Sequence, residues 1–536
     1  MPPCGFTTQQ GDIGMSRFNV RTAKAGSTSP VRTTGQRTVT GEGGQGYLRD
    51  ARSELFLLAV ANLVGQLSFY ESAEARDDRY TKLVRELAVS DPEWTLALLR
   101  WVRYGAQLRT AALVGAAEFT RARLDAKAPG YSRQVIDAVL QRPDEPGEFL
   151  AYWTSRYGRA LPKPVKRGVA DAVRRLYTGR ALLKYDTESK GYRFGDVLEL
   201  THPTPDPEKP WQGELFRYAL DRRHHPDTAV VPVSDQLLLA NRELLATPVE
   251  QRRALVTDEG GAERLAAAGM TWEALAGWLQ GPLDAAVWEA VIPSMGPMAL
   301  VRNLRNFDRA GVSDEVAAEV ARRISDPDEV ARSRQFPFRY LAAHRSVPSL
   351  RWGHALELAL GHSLANVPAL PGRTLILVDR SWSMFDRPSG QSELNRADSA
   401  AIFGTALKVR AADADLVEFG TGSRLLTVGR GESVLKALER FGSLGGTDTA
   451  GAVHKHYRDH DRVVIVTDEQ AQWAPAGDPL APIPAHVPVY TWNLAGYAAG
   501  HGPSGPNRHT FGGLTDTAFR LIPLLERGHD AGWPWE

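Results

Sequence analysis

The chain has 536 residues, too many for one hydrophobic core, so two or three are expected. Hydrophobic residues make up 43% and charged residues 24%, an ordinary globular composition; with a formal net charge of only +1, any nucleic-acid surface must come from local clustering of cations. The single cysteine, Cys4, excludes an internal disulfide framework, a cysteine zinc site and a CxxC redox pair, and fits a reducing, cytoplasmic setting; no uncharged apolar run of roughly 18 residues suggests a membrane span, and no secretory leader is visible.

Residues 1–46 are rich in Gly, Ser, Thr and Arg with little apolar periodicity, which predicts a disordered or extended arm. Within it, Met15 opens a segment that reads as a natural start. Gly43-Gly44-Gln45-Gly46 reads as part of this arm. Residues 47–368 carry helical patterning. The run Glu54 to Leu63 is apolar nearly all round, the mark of a buried helix. Asp91-Pro92-Glu93 sets up a helix start, with Asp91 as N-cap and Pro92 at the first helical position. Further helices are expected over roughly 109–125, 133–140, 165–184, 233–245, 261–279, 296–310 and 313–324. So many helices in succession, with no strand pattern between them, suggest a helical-repeat array.

Positive charge concentrates between Arg159 and Arg193, where ten Lys/Arg face three Asp/Glu. Val165, Val169, Ala172, Val173 and Leu176 fall on one helical face. Arg167 and Arg174 then point the opposite way, Lys163 extends that line, and Lys166 and Arg175 flank it. Such a row can neutralise phosphates, and Tyr157, Tyr177, Tyr185 and Tyr192 are placed to stack on unpaired bases. By charge pattern alone, an RNA-binding face and a plain solvated face are equally open.

Past Pro368 the pattern becomes strand–helix alternation through residues 369–536. Strands are expected at Arg373–Val378, Leu416–Phe419, Arg462–Thr467 and, as the last, Pro488–Trp492. Helices are expected at 395–411, 434–441, 449–458 and 514–526. This is a doubly wound α/β, Rossmann-like domain, whose ligand sites lie at the carboxyl ends of its strands. Three oxygen-rich segments fall at such ends: Asp379-Arg380-Ser381-Trp382-Ser383, Gly445-Gly446-Thr447-Asp448-Thr449 and Thr467-Asp468-Glu469. Hydroxyls and carboxylates together suit a hard divalent cation.

That set resembles the metal-ion-dependent adhesion site (MIDAS) of von Willebrand factor A (vWA) domains. The resemblance implies Asp379, Ser381, Ser383, Thr447 and Asp468 as ligands of a divalent metal, Mg²⁺ foremost, with Mn²⁺ or Ca²⁺ as alternatives. It also implies one position left open for a partner's acidic group. The family commonly has Gly where this chain has Trp382, a bulky ring placed either to narrow access or to change which ligand fits, and Arg380 is placed to occupy part of the acid's place. The helical part resembles the TROVE module of Ro proteins: Arg159-Ala160-Leu161 through Leu176, Lys184-Tyr185, Leu198-Glu199-Leu200-Thr201-His202-Pro203, Ala299 to Leu304, and Phe336 to Leu341 with Gln335 in place of His. Asn493 to Tyr497 looks like bacterial members.

The resemblance implies a ring of HEAT-like helical repeats closed by a vWA domain, in a monomeric, non-enzymatic ribonucleoprotein scaffold. It implies a Y-type small RNA on the outer surface, contacted by Lys163, Lys166, Arg167, Arg174, Arg175, Lys184 and His202. Single-stranded ends of misfolded RNA would enter the central hole, in RNA quality control that can involve polynucleotide phosphorylase. The alternative is a metal-dependent module that recruits an acidic protein, as in assemblies with AAA ATPases, without RNA; a metal-dependent nuclease is more distant. His224-His225 and Asp459-His460-Asp461 lack further ligands at a recognised spacing and read as polar turns. The chain has no P-loop and no G-x-S-x-G elbow.

Overall fold

A computed structural model describes residues 27–61, 70–333, 335, 337–347, 349–364, 367–385, 395–429, 432–474, 477–513, 522–526 and 532–536. The segment expected as a disordered or extended arm lies outside this set up to residue 26. From residue 27 it is a docked strap. β1 (Thr33–Val39) and β2 (Gln45–Arg49) form an antiparallel hairpin. The outer edge of β2 pairs with β8 (Ala499–Gly500), more than 400 residues away.

Helices follow from Ala51 onward. Expected helices appear at Arg109–Asp125, Ser132–Val139, Gln236–Leu245, Pro297–Ala310 and Asp314–Ser325. Two expected helices are each split. Lys163–Leu176 and Gly179–Tyr185 are separate, because Tyr177 turns inward and stacks on Phe194 at 3.7 Å while the Thr178 hydroxyl caps the second helix. Gly261–Ala267 and Trp272–Leu279 are divided at Gly269, whose φ is +61°, and Thr271 caps the second. Asp91 precedes the helix Pro92–Tyr104 as expected, yet its side chain makes no cap; it pairs with Arg52 instead. Helices such as Ala73–Ser90 and Glu145–Tyr157, which the sequence reading passed over, complete the array.

The array has two apolar cores. The first runs from Leu55 to Leu238; the second begins at Leu244, continues through Leu370 and merges with one face of the following sheet. Helices Gly179–Tyr185 and Gln236–Leu245 join the two.

The last third is a six-stranded sheet in the order β5-β4-β3-β6-β7-β9. Its strands are β3 (Arg373–Asp379), β4 (Asp413–Phe419), β5 (Ser423–Leu426), β6 (Arg462–Thr467), β7 (Val489–Asn493) and β9 (Arg508–Gly512). β5 is antiparallel and the other pairings are parallel. The two-residue period of a strand sends Ile376 and Val378 into the core shared with the helices and Leu375 and Leu377 to the opposite face. β7 is not the last strand, because the polar-looking Arg508–Gly512 adds another beyond it. Of the expected last helix, residues 514–521 lie outside the described set and Ile522–Glu526 is helical.

Both ends of the helical array rest on this sheet domain. At one end, helix Ala51–Ala61 packs against β9 so closely that a Cβ at Gly512 would stand 2.6 Å from Leu57. At the other, helix Pro337–Ser346 lies on helix Arg396–Arg410, with Arg345 bonded to Asp398 at 3.0 Å. The chain's last residues also return to the first core: Trp533 packs edge-on to Phe56 and Trp94, and Trp535 lies against Trp101. The fold is a helical-repeat ring closed by a doubly wound vWA-like domain.

Candidate metal centre and basic face

Strand ends gather the oxygen-bearing residues. β3 delivers Asp379 and β6 delivers Asp468, neighbours because these strands pair in parallel. Asp379 accepts the Ser381 N–H at 2.8 Å on one oxygen and the Thr467 hydroxyl at 2.5 Å on the other. The hydroxyls of Ser381 and Ser383 lie 3.2 Å apart, and Ser383 also hydrogen-bonds Asp468. The Thr447 loop is held from both sides. Trp382 N–H donates to Gly445 O at 2.7 Å, and Gln472 N–H donates to Thr447 O at 2.8 Å. Gly445 carries a φ of +83°, and a Cβ there would meet the Thr421 hydroxyl at 2.6 Å, so only glycine suits this turn. All five residues named from the sequence come together, each no more than 1% exposed.

Two buried carboxylates side by side are costly. Burial first, and the Asp468 charge second, push the Asp379 carboxyl up to about 7; burial likewise raises Asp468. Asp468 Oδ2 and Thr447 Oγ1 have no hydrogen-bond partner. Among the described residues no cluster of three His, Cys, Asp or Glu forms, so the donors here are two carboxylates and three hydroxyls. An all-oxygen set with unmet acceptors and surplus negative charge fits a Mg²⁺-class cation.

One expectation about access is corrected. Arg380 does not enter the acid's place: its guanidinium donates to Gly442 O at 2.6 Å and Ala397 O at 2.7 Å, between the rings of Phe385 and Phe441. Trp382 is itself 65% exposed.

On the helix Lys163–Leu176, Val165, Val169, Ala172 and Val173 are buried, while Lys163 and Arg167 are exposed. Lys166 lines a groove with Arg159, Ala160, Leu161, Pro162 and Leu200; exposed His202, a left-handed residue (φ +47°), ends the helix Phe194–Thr201 that carries Leu200. Lys163, Lys166 and Arg167 take part in no ion pair among the described residues. Lys184 is exposed over the Tyr185 ring.

Arg174 and Arg175 are less free than the helical wheel suggests. Arg174 is half-buried and faces Asp206 at 3.8 Å. Arg175 is tied to Asp137 and to the Leu140 carbonyl, both at 2.9 Å. Nor are the tyrosines open stacking platforms. Tyr177 is buried against Phe194, Tyr157 bonds Glu118, Tyr192 bonds Thr154, and Tyr185 lies beneath Arg142 and Lys184.

Residues 232–372 match the family model of the TROVE domain. Over that span the chain is similar to a TROVE domain. A solved structure, that of the Ro (RSR) protein of Deinococcus radiodurans, shares the fold with a TM-score of 0.60 at 22% identity, over 89% of this chain and all of that one. Telomerase protein component 1 of mouse and of rat each align at 43% identity over 68 residues, which is 12% of this chain and 3% of those proteins. The TROVE match covers the second helical core, including the Ala299–Leu304 segment. Phe336 lies outside the described residues, while Tyr340 and Leu341 of the same segment are buried in that core. The basic helix precedes the matched span.

Two of the histidines read from the sequence as turn residues have local partners. His224 sits 3.3 Å from Glu199 at the surface. Buried His460 accepts the Arg458 N–H at 3.1 Å and bonds Asp415 at 2.9 Å. Burial holds the imidazoles of His460 and His456 below the ordinary histidine value of 6.5. As pH falls through that value the unfolded chain takes up protons before the folded one, so this contribution to stability is lost on acidification. Between about pH 7.5 and about pH 5.5, wild type is expected to lose more thermal midpoint, or gain less, than His460→Gln, whatever the raised Asp379 and Asp468 carboxyls contribute to both. An unchanged slope in that variant removes His460 as a cause. Sequence reasoning missed Glu42 and Tyr70, which border the metal centre from the other end of the chain; the glycines around Glu42 were the available signal.

Proposed function

We propose that this protein is a non-catalytic RNA-binding scaffold. It takes a small structured, Y-type RNA on the face carrying Lys163, Lys166 and Arg167, with Lys184 and His202 alongside, and single-stranded RNA ends at the centre of the ring. The observation that carries this reading is that the helix Lys163–Leu176 offers three cations without ion-pair partners among the described residues, beside a groove, in a chain of net charge +1. Arg174 and Arg175 belong to its rim, anchored by Asp206 and Asp137. Such a scaffold acts in RNA quality control, presenting RNA to an exonuclease such as polynucleotide phosphorylase. The likeness to the Ro fold and the TROVE match support it.

The metal centre is part of this reading: a divalent cation, Mg²⁺ foremost, held by Asp379, Ser381, Ser383, Thr447 and Asp468. Metal-dependent capture of an acidic protein is less favoured, because the ligands are buried and this chain's own hairpin turn packs beside them. Purification from native cells at low salt, with and without chelator, followed by RNA sequencing, tests the function. A discrete small RNA in both preparations is the expected result; chelator-sensitive recovery of protein without RNA would overturn it.

A further inference from the structure

A site that recruits a partner's acid must be reachable, yet these five residues are sealed. Packed beside the site is the turn of the N-terminal hairpin, Thr40–Gly44, closed by its own bonds between Thr40 N–H and Gly44 O and between Gly43 N–H and Thr40 O. This turn grips the loop that follows Asp468. Gly41 N–H donates to the Gln470 side chain at 2.7 Å, the Thr40 hydroxyl donates to Ala471 O at 2.6 Å, and Gly43 bridges to Gln472. Two glycines make the fit possible: a Cβ at Gly44 would stand 2.4 Å from Ala471 O, and one at Gly41 would stand 2.6 Å from the Tyr70 ring.

Between them the turn offers one acidic side chain, Glu42. Its Oε2 comes within 3.4 Å of where a Cβ on Gly446 would be, next to the ligand Thr447. The Tyr70 hydroxyl hydrogen-bonds both Glu42 and the ligand Ser383, and Asp468 is near enough for its charge to act on that phenol. Carboxylate, phenol and ligand hydroxyl therefore form one chain from the hairpin tip to the metal centre.

We propose that the acid completing this metal centre is Glu42 of the same chain, so that a bound cation fastens the N-terminal hairpin to the sheet domain and closes the site to outside acids. The inference rests on the metal reading above. It makes the centre a clasp between the two ends of the sequence.

Mn²⁺ binding by calorimetry, together with hydrogen exchange at the amides of Thr40, Gly43 and Gly44, tests it on the full chain. Wild type should bind Mn²⁺ and slow those amides on binding. Glu42→Ala should bind about tenfold or more weakly, the usual scale for losing a group that supports a metal site. Added acetate should restore affinity in Glu42→Ala and leave wild type unchanged; Tyr70→Phe should weaken binding in the same direction. Mn²⁺ binding that is lost in Asp379→Ala but kept in Glu42→Ala overturns the assignment of Glu42 and leaves the metal centre standing. No binding by wild type overturns both.

Discussion

Reversing the charge of Lys163, Lys166 and Arg167 together is expected to weaken structured-RNA binding by about a hundredfold or more, without loss of the fold. Each cation that neutralises a phosphate contributes roughly one unit to the salt dependence of log affinity, so the slope against log salt should flatten by about two to three units in the variant. The fold is expected to survive because Lys163 and Arg167 point to solvent and Lys166 borders a groove. Filter binding across a salt series, alongside a melting curve, checks both halves. Undiminished affinity at low salt would remove this face from the RNA contact. Arg174 and Arg175 are better left in place for this test, since cutting their bonds to Asp206 and Asp137 would confuse local disruption with lost binding.

The second large effect concerns the tail. Trp533→Ala is expected to cost about 3–5 kcal/mol, the range for truncating a buried aromatic. Trp533 is 8% exposed and packs against Phe56, Trp94 and Trp535. Removing residues 532–536 should cost at least as much and bare an apolar patch on the first helices. Denaturant unfolding, with dye binding to report the patch, measures both. A tail that can be cut with no change in midpoint would show that the first core is sufficient without it.

The parts legible in the sequence share a physical basis. Strands β3 and β6 stand out because a parallel strand covered on both faces is apolar throughout, as Arg373–Asp379 and Arg462–Thr467 largely are. Four of the five candidate metal ligands were easy to single out because they lie at or just beyond the ends of those strands, whereas Thr447 sits in a loop before a helix. β5 and β9 were not, since Ser423-Arg424 and Arg508-His509 are polar and their pairing depends on neighbours already in place. A helical wheel gave the direction of Arg174 and Arg175 but not their partners, which come from other segments. Periodicity alone ran through Tyr177 without a break, because the burial of that ring against Phe194 is a tertiary event. Glu42 and Tyr70 escaped for the same reason: they meet residues more than 300 positions away in the chain.

Ring closure has an outcome of its own. Open stacks of helical repeats ordinarily fray from their terminal units, which present an uncovered apolar face and need polar end repeats to stay dissolved. Here neither terminus of the stack is bare, because Leu57 and Val60 sit on β9 at one side and Arg345 ties helix Pro337–Ser346 to Asp398 at the other. Melting therefore has no privileged starting edge. The helices should lose amide protection together rather than peel away in order, and a cut within any loop should turn that concerted loss into stepwise unzipping from the new ends.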